Sequence, residues 1–229
     1  MNSRHIPRIT MVFLATIATI VTAACAGGAP PEPQTGPRPE GAEKAALEAL
    51  YQARADSARM NVSDADVEFM TGMISHHAQA LVMARLAPTR EASPEMLILT
   101  SRVINAQTDE INLMQGWLRG RGRHVPEVEI EGTTLMIDGG APVLMPGMLT
   151  DAQLRELDEA RGLEWDRVFL TYMIQHHNGA VAMVHELFAT DGAAQDDISF
   201  KLASDIQVDQ ITEINRMELM LKELADRPD

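Results

Sequence analysis

The chain has 229 residues, with 33 acidic side chains against 19 Lys and Arg, and a formal net charge of −14 at pH 7. This length is enough for one substantial hydrophobic core. The charge argues against a nucleic-acid partner, which needs clustered Lys and Arg, and makes cations the natural ligands. Methionine is frequent, with 15 residues, whereas aromatic residues make up only 4% of the chain.

Residues 1–24 have the pattern of a secretion signal. Arg4 and Arg8 precede the apolar run MVFLATIATIVTAA, which is too short, and too uncharged at its far flank, for a stop-transfer helix. We therefore expect the protein to be exported to the cell envelope, on its periplasmic or extracellular face.

The only cysteine, Cys25, directly follows this signal. A bacterial lipoprotein signal ends at a lipid-modified cysteine, so Cys25 predicts a lipid anchor in the membrane. Thr22 stands where such signals usually carry Leu, and ordinary cleavage near Ala24 is the alternative. The Pro- and Gly-rich residues 25–42 then form an extended tether.

The remainder, residues 43–229, is predicted to be all-α. Apolar side chains recur with a period of 3.6 residues between good helix formers. Capping residues at Ser63 and Thr150 mark two helix starts. The predicted helices lie near residues 43–60, 64–87, 94–119, 151–161, 164–189 and 196–225. Between them, the Gly- and Pro-rich crossover 120–149 contains VEIEGTTLMI, a candidate for a small hairpin.

The chain contains an internal repeat of a helical hairpin, over 61–119 and 150–225. FMTGMISHHAQALVM at 69–83 aligns without gaps to FLTYMIQHHNGAVAM at 169–183. A second block repeats as well, and it pairs Gln107, Glu110, Ile111 and Met114 with Gln210, Glu213, Ile214 and Met217. Two amphipathic hairpins bury their apolar faces most simply as an antiparallel four-helix bundle, with the helices at 43–60 and 151–161 packed outside it.

Polar and sulfur-containing side chains share the inward faces of this bundle. At about 100° per residue, one face of the first repeat holds His76, His77 and the nearby methionines. A single inward Met or His is usually a core residue, but two adjacent histidines in each repeat need partners for their ring nitrogens, which favours metal binding. The predicted ligands are Met73, His76, His77, Met83, Glu110, Met114, Met173, His176, His177, Met183, Glu213 and Met217.

Copper is the predicted metal, with zinc as second choice. Thioether with imidazole suits Cu(I), whereas imidazole with carboxylate suits Cu(II) or zinc. Glu110 and Glu213 either bind the metal directly or orient the imidazoles. Several further residues could add ligands or simply close the bundle: Met145, Met148, His124, His185 and Met220.

The doubled motif of Met-Ile, His-His, Ala and Met, followed by Gln, Glu-Ile and Met, resembles the bacterial family of domain of unknown function three hundred and five, which includes CopM-like copper-binding proteins. The resemblance covers residues 61–224. It implies a ferritin-like helical fold, an extracytoplasmic location and, for some members, copper binding and tolerance. Leu170 stands where the first repeat has Met70, so the two repeats are not equivalent.

Other functions fit the sequence less well. Di-iron oxidases need Glu-x-x-His pairs and covalent haem needs Cys-x-x-Cys-His, and neither occurs. Non-covalent binding of haem through His and Met axial ligands is an alternative that the sequence does not exclude. The chain shows no nucleophile–base pair or phosphate loop, so we expect metal buffering or delivery, with a copper donor or acceptor protein as partner, rather than catalysis. The main alternative is an envelope interaction module in which the His-His pairs are structural. Self-association of two bundles is also open.

Overall fold

The computed structural model describes residues 40–60 and 62–226. The chain divides into two units, Met1–Lys44, of which residues 40–44 are described and helical, and Ala45–Asp229. The predicted signal, Cys25 and most of the tether lie outside the described residues. Within the described ranges, no helix is long and apolar enough to cross a lipid bilayer.

The described residues are mostly helical, which confirms the all-α prediction. The helices are α1 Glu40–Met60, α2 Asp64–Ala84, α3 Pro94–Gly120, α4 Asp151–Glu159, α5 Gly162–Ala189 and α6 Asp197–Ala225. In the crossover, strands β1 (Val128–Glu131) and β2 (Thr134–Ile137) pair as the antiparallel hairpin that VEIEGTTLMI suggested.

The two helix starts marked by capping residues are confirmed. Ser63 accepts a hydrogen bond from the backbone N–H of Asp66, whose carboxylate in turn accepts from the N–H of Ser63. Thr150 and Gln153 make the same reciprocal pair at the start of α4. These boxes satisfy backbone donors that helix starts leave unpaired.

The bundle is built on the pairs α2 with α3 and α5 with α6, joined through α2 and α5. Helices α2 and α5 run antiparallel, because Phe69 near the start of α2 shares a cavity with Leu187 near the end of α5. Helix α2 is the centre of the molecule: every residue from Gly72 to Ala84 is buried. Its outer face is covered by the β-hairpin and the crossover.

The end of the crossover, residues 145–149, lies across both α2 and α5. The side-chain amide of Gln79 accepts from the backbone N–H of Leu149 (2.6 Å) and donates to its carbonyl (3.0 Å). On α5, Gln175 donates to the carbonyl of Gly147 (3.2 Å). A Cβ on Gly179 would lie 1.9 Å from the carbonyl oxygen of Pro146. Glycine at this position therefore permits the close approach.

Two buried aspartates tie the repeats together. Asp66 of the first repeat accepts a hydrogen bond from the backbone N–H of Ala194, in the turn before α6 (2.8 Å). Asp166 of the second repeat accepts from the N–H of Ser93, at the start of α3 (3.2 Å). Each repeat thus holds the turn of the other.

The two extra helices differ from each other. Helix α4 buries Leu154 and Leu157 and packs on α5, as predicted. Helix α1 forms where expected, but its side chains at 45–54 are all exposed, so the prediction that it packs against the bundle is wrong for these residues. An amphipathic pattern predicts a helix and its apolar face, not the surface that will cover that face.

Candidate metal centre

The first histidines of the two repeats meet at the contact of α2 and α5. The rings of His76 and His176 are fully buried, with centroids 3.9 Å apart and planes inclined by 40°. Nε2–H of His76 donates to the carbonyl oxygen of Pro146 (3.0 Å), in the segment that lies across both helices. This bond fixes the neutral tautomer of His76 and leaves the lone pair of its Nδ1 free to bind a ligand.

The second histidines face carboxylates on the partner helices. Nε2 of His77 lies 2.8 Å from Oε2 of Glu110 on α3, and Nε2 of His177 lies 2.6 Å from Oε2 of Glu213 on α6. Both rings are fully buried, while the glutamates are 12% and 22% exposed. The placement of the charges repeats across the two halves, but only His177 makes a hydrogen bond to its glutamate, whereas His77 lies close to Glu110 without hydrogen-bond geometry.

All four histidines keep an unused ring nitrogen. Their Nδ1 atoms are buried and have no hydrogen-bond partner within the described part of the chain. Leaving such a group unsatisfied costs about 1–3 kcal/mol. In His76, His77 and His177 the other ring nitrogen, Nε2, faces an oxygen, so the neutral ring carries its lone pair on Nδ1, which favours the binding of an electron-pair acceptor. Nitrogen lone pairs of neutral imidazoles are common metal donors.

Burial keeps the central histidines uncharged. Burial, followed by the proximity of His77, lowers the pKa of His76 from 6.5 to about 3. Burial and the proximity of His76 also hold the pKa of His176 well below its usual value. Both rings are therefore neutral at physiological pH, the state in which imidazole can bind a metal without first losing a proton.

A negatively charged patch lies beside the His–Glu pairs. Partial burial raises the pKa of Asp209, on α6, and the nearby carboxylates of Glu110 and Glu213 raise it further. The carboxylates of the two repeats therefore act on one common region. In the first repeat the position of Asp209 is occupied by Ala106, so this patch is asymmetric.

Substituting Asn for Asp209 is expected to stabilise the metal-free protein by roughly 0.5 kcal/mol, because Asp209 lies one helical turn from both Asp205 and Glu213 and like charges at that spacing repel. The measurement is urea unfolding of D209N at pH 7 and low salt. The repulsion is screened at high ionic strength, so a gain that persists in 1 M salt would contradict this explanation.

The predicted methionines separate into two groups. The larger group is fully buried and consists of Met73, Met83, Met114, Met173 and Met217. Met183 is only partly buried and lies with Met145 in a cavity between α2 and α5. Within the described ranges, no three His, Cys, Asp or Glu side chains form a preassembled ligand cluster.

The further candidate ligands lie mostly away from the centre. His124 is exposed and contacts Asp138 (2.8 Å), and His185 is exposed on α5. Met220 lines a separate cavity near the start of α3. Met148 is buried, and its sulfur accepts from the N–H of Met145 (3.4 Å).

Sequence reasoning missed three contributors to the site. The Pro146 carbonyl is a backbone group with no signal in the sequence pattern, and Asp209 has no counterpart in the first repeat. Gln79 aligns with Gly179 in the second repeat. This difference was the available signal that the crossover contacts α2 through a side-chain amide and α5 through a close backbone approach.

These features define an all-helical protein with a duplicated hairpin and a buried, neutral histidine centre. The pattern of the family named Domain of unknown function (DUF305) matches residues 66–221, and the chain belongs to this family. The family resemblance noted in the sequence is thereby confirmed. No curated protein sequence matches the chain.

Solved structures of the family share the fold. A DUF305 protein of Streptomyces coelicolor, named as a secreted protein, is 25% identical with a TM-score of 0.59, covering 72% of this chain and 96% of that one. A DUF305 fragment from Deinococcus radiodurans is 28% identical, with a TM-score of 0.59 and coverages of 71% and 98%. CopM in its Cu(I)-bound form is 28% identical, with a TM-score of 0.51 and coverages of 69% and 96%.

Proposed function

We propose that this protein binds copper in the cell envelope and buffers or delivers it, contributing to copper homeostasis or tolerance. The observation that carries the proposal is the set of four buried histidines with unpartnered Nδ1 atoms. The similarity to CopM, which is solved in Cu(I)-, Cu(II)- and silver-bound forms, supports the choice of metal.

The histidine pairs and the buried methionines supply ligands of different types. Imidazole nitrogens and thioethers together suit Cu(I), and an imidazole with a carboxylate suits Cu(II) or, as second choice, zinc. Glu110 and Glu213 either bind directly or orient His77 and His177. The remaining proposed ligands of this centre are His76, His176, Met73, Met83, Met114, Met173 and Met217, while Met183 lies apart from them in a cavity with Met145.

The sequence of residues 1–25 supports a location in the cell envelope. We propose that residues 1–24 direct export and that a lipid on Cys25 anchors the chain at the membrane, with the Pro- and Gly-rich tether between anchor and bundle. The Streptomyces relative is named as a secreted protein, which supports an extracytoplasmic site. Its partners there are the metal ion and a protein that donates or accepts copper, and the role is non-enzymatic.

The proposal is tested on residues 26–229 without a His-tag. Cu(I), Cu(II) and Zn(II) are added in parallel, and bound metal and the thermal unfolding midpoint are measured. We expect copper to bind in whole-number stoichiometry and, at 100 times its Kd, to stabilise the parent by about 2.7 kcal/mol. Replacing all four histidines by alanine should abolish this tight binding, while H124A/H185A, which removes two exposed histidines, should leave it unchanged.

The close His–Glu contacts favour one other function. A buried network of His77 with Glu110 and His177 with Glu213 would fix the register of the bundle in a protein that binds other envelope components. Equal copper content and equal thermal midpoints in the four-histidine variant and the parent, with and without copper, would replace the copper proposal by this one. Four alanine substitutions leave several buried polar groups unpaired and can impair folding. The milder variant H77N/H177N is therefore measured in the same way.

A further inference from the structure

We infer that Met145 and Met183 form a second, surface-facing thioether site for a soft monovalent cation, Cu(I) or Ag(I), separate from the buried histidine centre. Its second role, as the point where copper enters that centre, rests on the proposed copper function. Its cation binding does not depend on that function, because it is argued from Met145 and Met183 themselves.

The two thioethers converge over one glycine. A Cβ on Gly72 of α2 would lie 3.0 Å from Sδ of Met145 and 3.4 Å from Cε of Met183. Met145 comes from the crossover and Met183 from α5, so three parts of the chain meet at this point. Because Gly72 has no side chain, the space above it is left to the two sulfur side chains.

A cavity of about 240 Å³ adjoins this point. Met145 and Met183 line it together with Phe69 and Pro146, and the carboxylate residues Glu68 and Glu186 complete its wall. Both glutamates are exposed. The cavity thus combines soft donors with negative charge at its solvent side, a combination that attracts a soft cation rather than an anion or an apolar ligand.

The second repeat has no equivalent site. Tyr172 occupies the position of Gly72, and Met83, the counterpart of Met183, is fully buried. The crossover that supplies Met145 passes over the molecule once. We therefore expect one such site per chain, in addition to whatever the histidine centre holds.

The site is connected to the centre through the backbone. Pro146 follows Met145 directly, and its carbonyl oxygen is the group that accepts the hydrogen bond from His76. A cation held by Met145 thus lies one residue from the contact that covers the central histidines. Movement of the 145–149 segment moves both at once, so the site is suited to receive the metal before it reaches His76.

The test compares M145L/M183L with the control M136L/M220L, which also removes two partly buried methionines but outside the cavity. Leucine preserves the volume of methionine approximately, so both variants should fold. Bound Ag(I) per chain is measured, with X-ray absorption to count sulfur neighbours. We expect M145L/M183L to lose one Ag(I) per chain and the control to lose none.

The loading role has its own readout. Under anaerobic, reducing conditions, Cu(I) should reach the histidine centre at least tenfold more slowly in M145L/M183L than in the control. In the four-histidine variant the thioether site should still bind one Ag(I) with sulfur ligands, which separates this inference from the copper proposal. Unchanged Ag(I) content in M145L/M183L would overturn the site, and an unchanged Cu(I) loading rate would overturn its role as entry point.

Discussion

The metal-free protein is expected to lose free energy of unfolding when the pH falls from 7 to 5, by about 2 kcal/mol from His76 and by a further contribution of the same sign from His176. The pKa of His76 is lowered from 6.5 to about 3, and that of His176 is lowered well below 6.5. Below pH 6.5 these histidines therefore bind a proton in the unfolded chain before they do so in the folded protein. The stability that the two neutral rings contribute is fully present above about pH 6.5 and is lost as the pH falls.

Urea unfolding at half-unit steps from pH 7 to pH 5 measures this loss. H76N/H176N removes both titrating groups and should abolish most of the slope, whereas H124N/H185N, at exposed positions, should keep it. The slopes are compared rather than the absolute stabilities, because asparagine changes the packing. The raised pKa of Asp209 acts in the opposite direction, since the folded state then holds that proton more readily. Indistinguishable slopes in the two variants would refute the assignment to the central pair.

Substituting alanine for Gly179 is expected to destabilise the protein by about 3 kcal/mol, at the upper end of the usual cost of overpacking. The new Cβ would lie 1.9 Å from the carbonyl oxygen of Pro146 and 2.6 Å from Cα of Gly147. Both are backbone atoms, so relief requires the whole 145–149 segment to move away from α5. That movement also separates Pro146 from His76.

The matched control is G116A on α3. Gly116 is helical and exposed, and a Cβ there meets nothing within 4 Å. Alanine should therefore stabilise the helix by about 0.5–1 kcal/mol. Denaturant midpoints of both variants give the comparison, and copper binding by G179A should be weakened as well. If G179A were as stable as G116A, the close approach of the crossover to α5 could not be correct.

The helices were predictable because their apolar period is long and regular. Both capping boxes and the hairpin of the crossover followed from residue type and spacing, since their hydrogen bonds are local. The environment of α1 did not follow. Leu47, Leu50 and Tyr51 lie close together along this helix, yet they are 68%, 52% and 69% exposed. Burial depends on a partner surface, which periodicity does not describe.

For the candidate site, the sequence predicted which side chains share the inward face of each helix. Helical projection correctly placed His76 and His77 inward, and the repeat of Glu110 as Glu213 indicated a carboxylate near the second histidine of each half. It did not distinguish Met183 from the fully buried Met83, because the two occupy equivalent positions in their repeats. Their difference comes from the crossover, which covers α2 and leaves part of α5 exposed.

The exchange of acceptors between Asp66 and Asp166 makes the hairpins interdependent in unfolding. Each hairpin supplies a carboxylate to the turn of the other, so opening one hairpin removes a hydrogen bond from the other. The bundle should therefore melt in a single cooperative step instead of losing one repeat at a time. The same exchange is what a twofold dimer of a single hairpin would require, and the chain can be regarded as such a dimer whose two subunits became covalently joined.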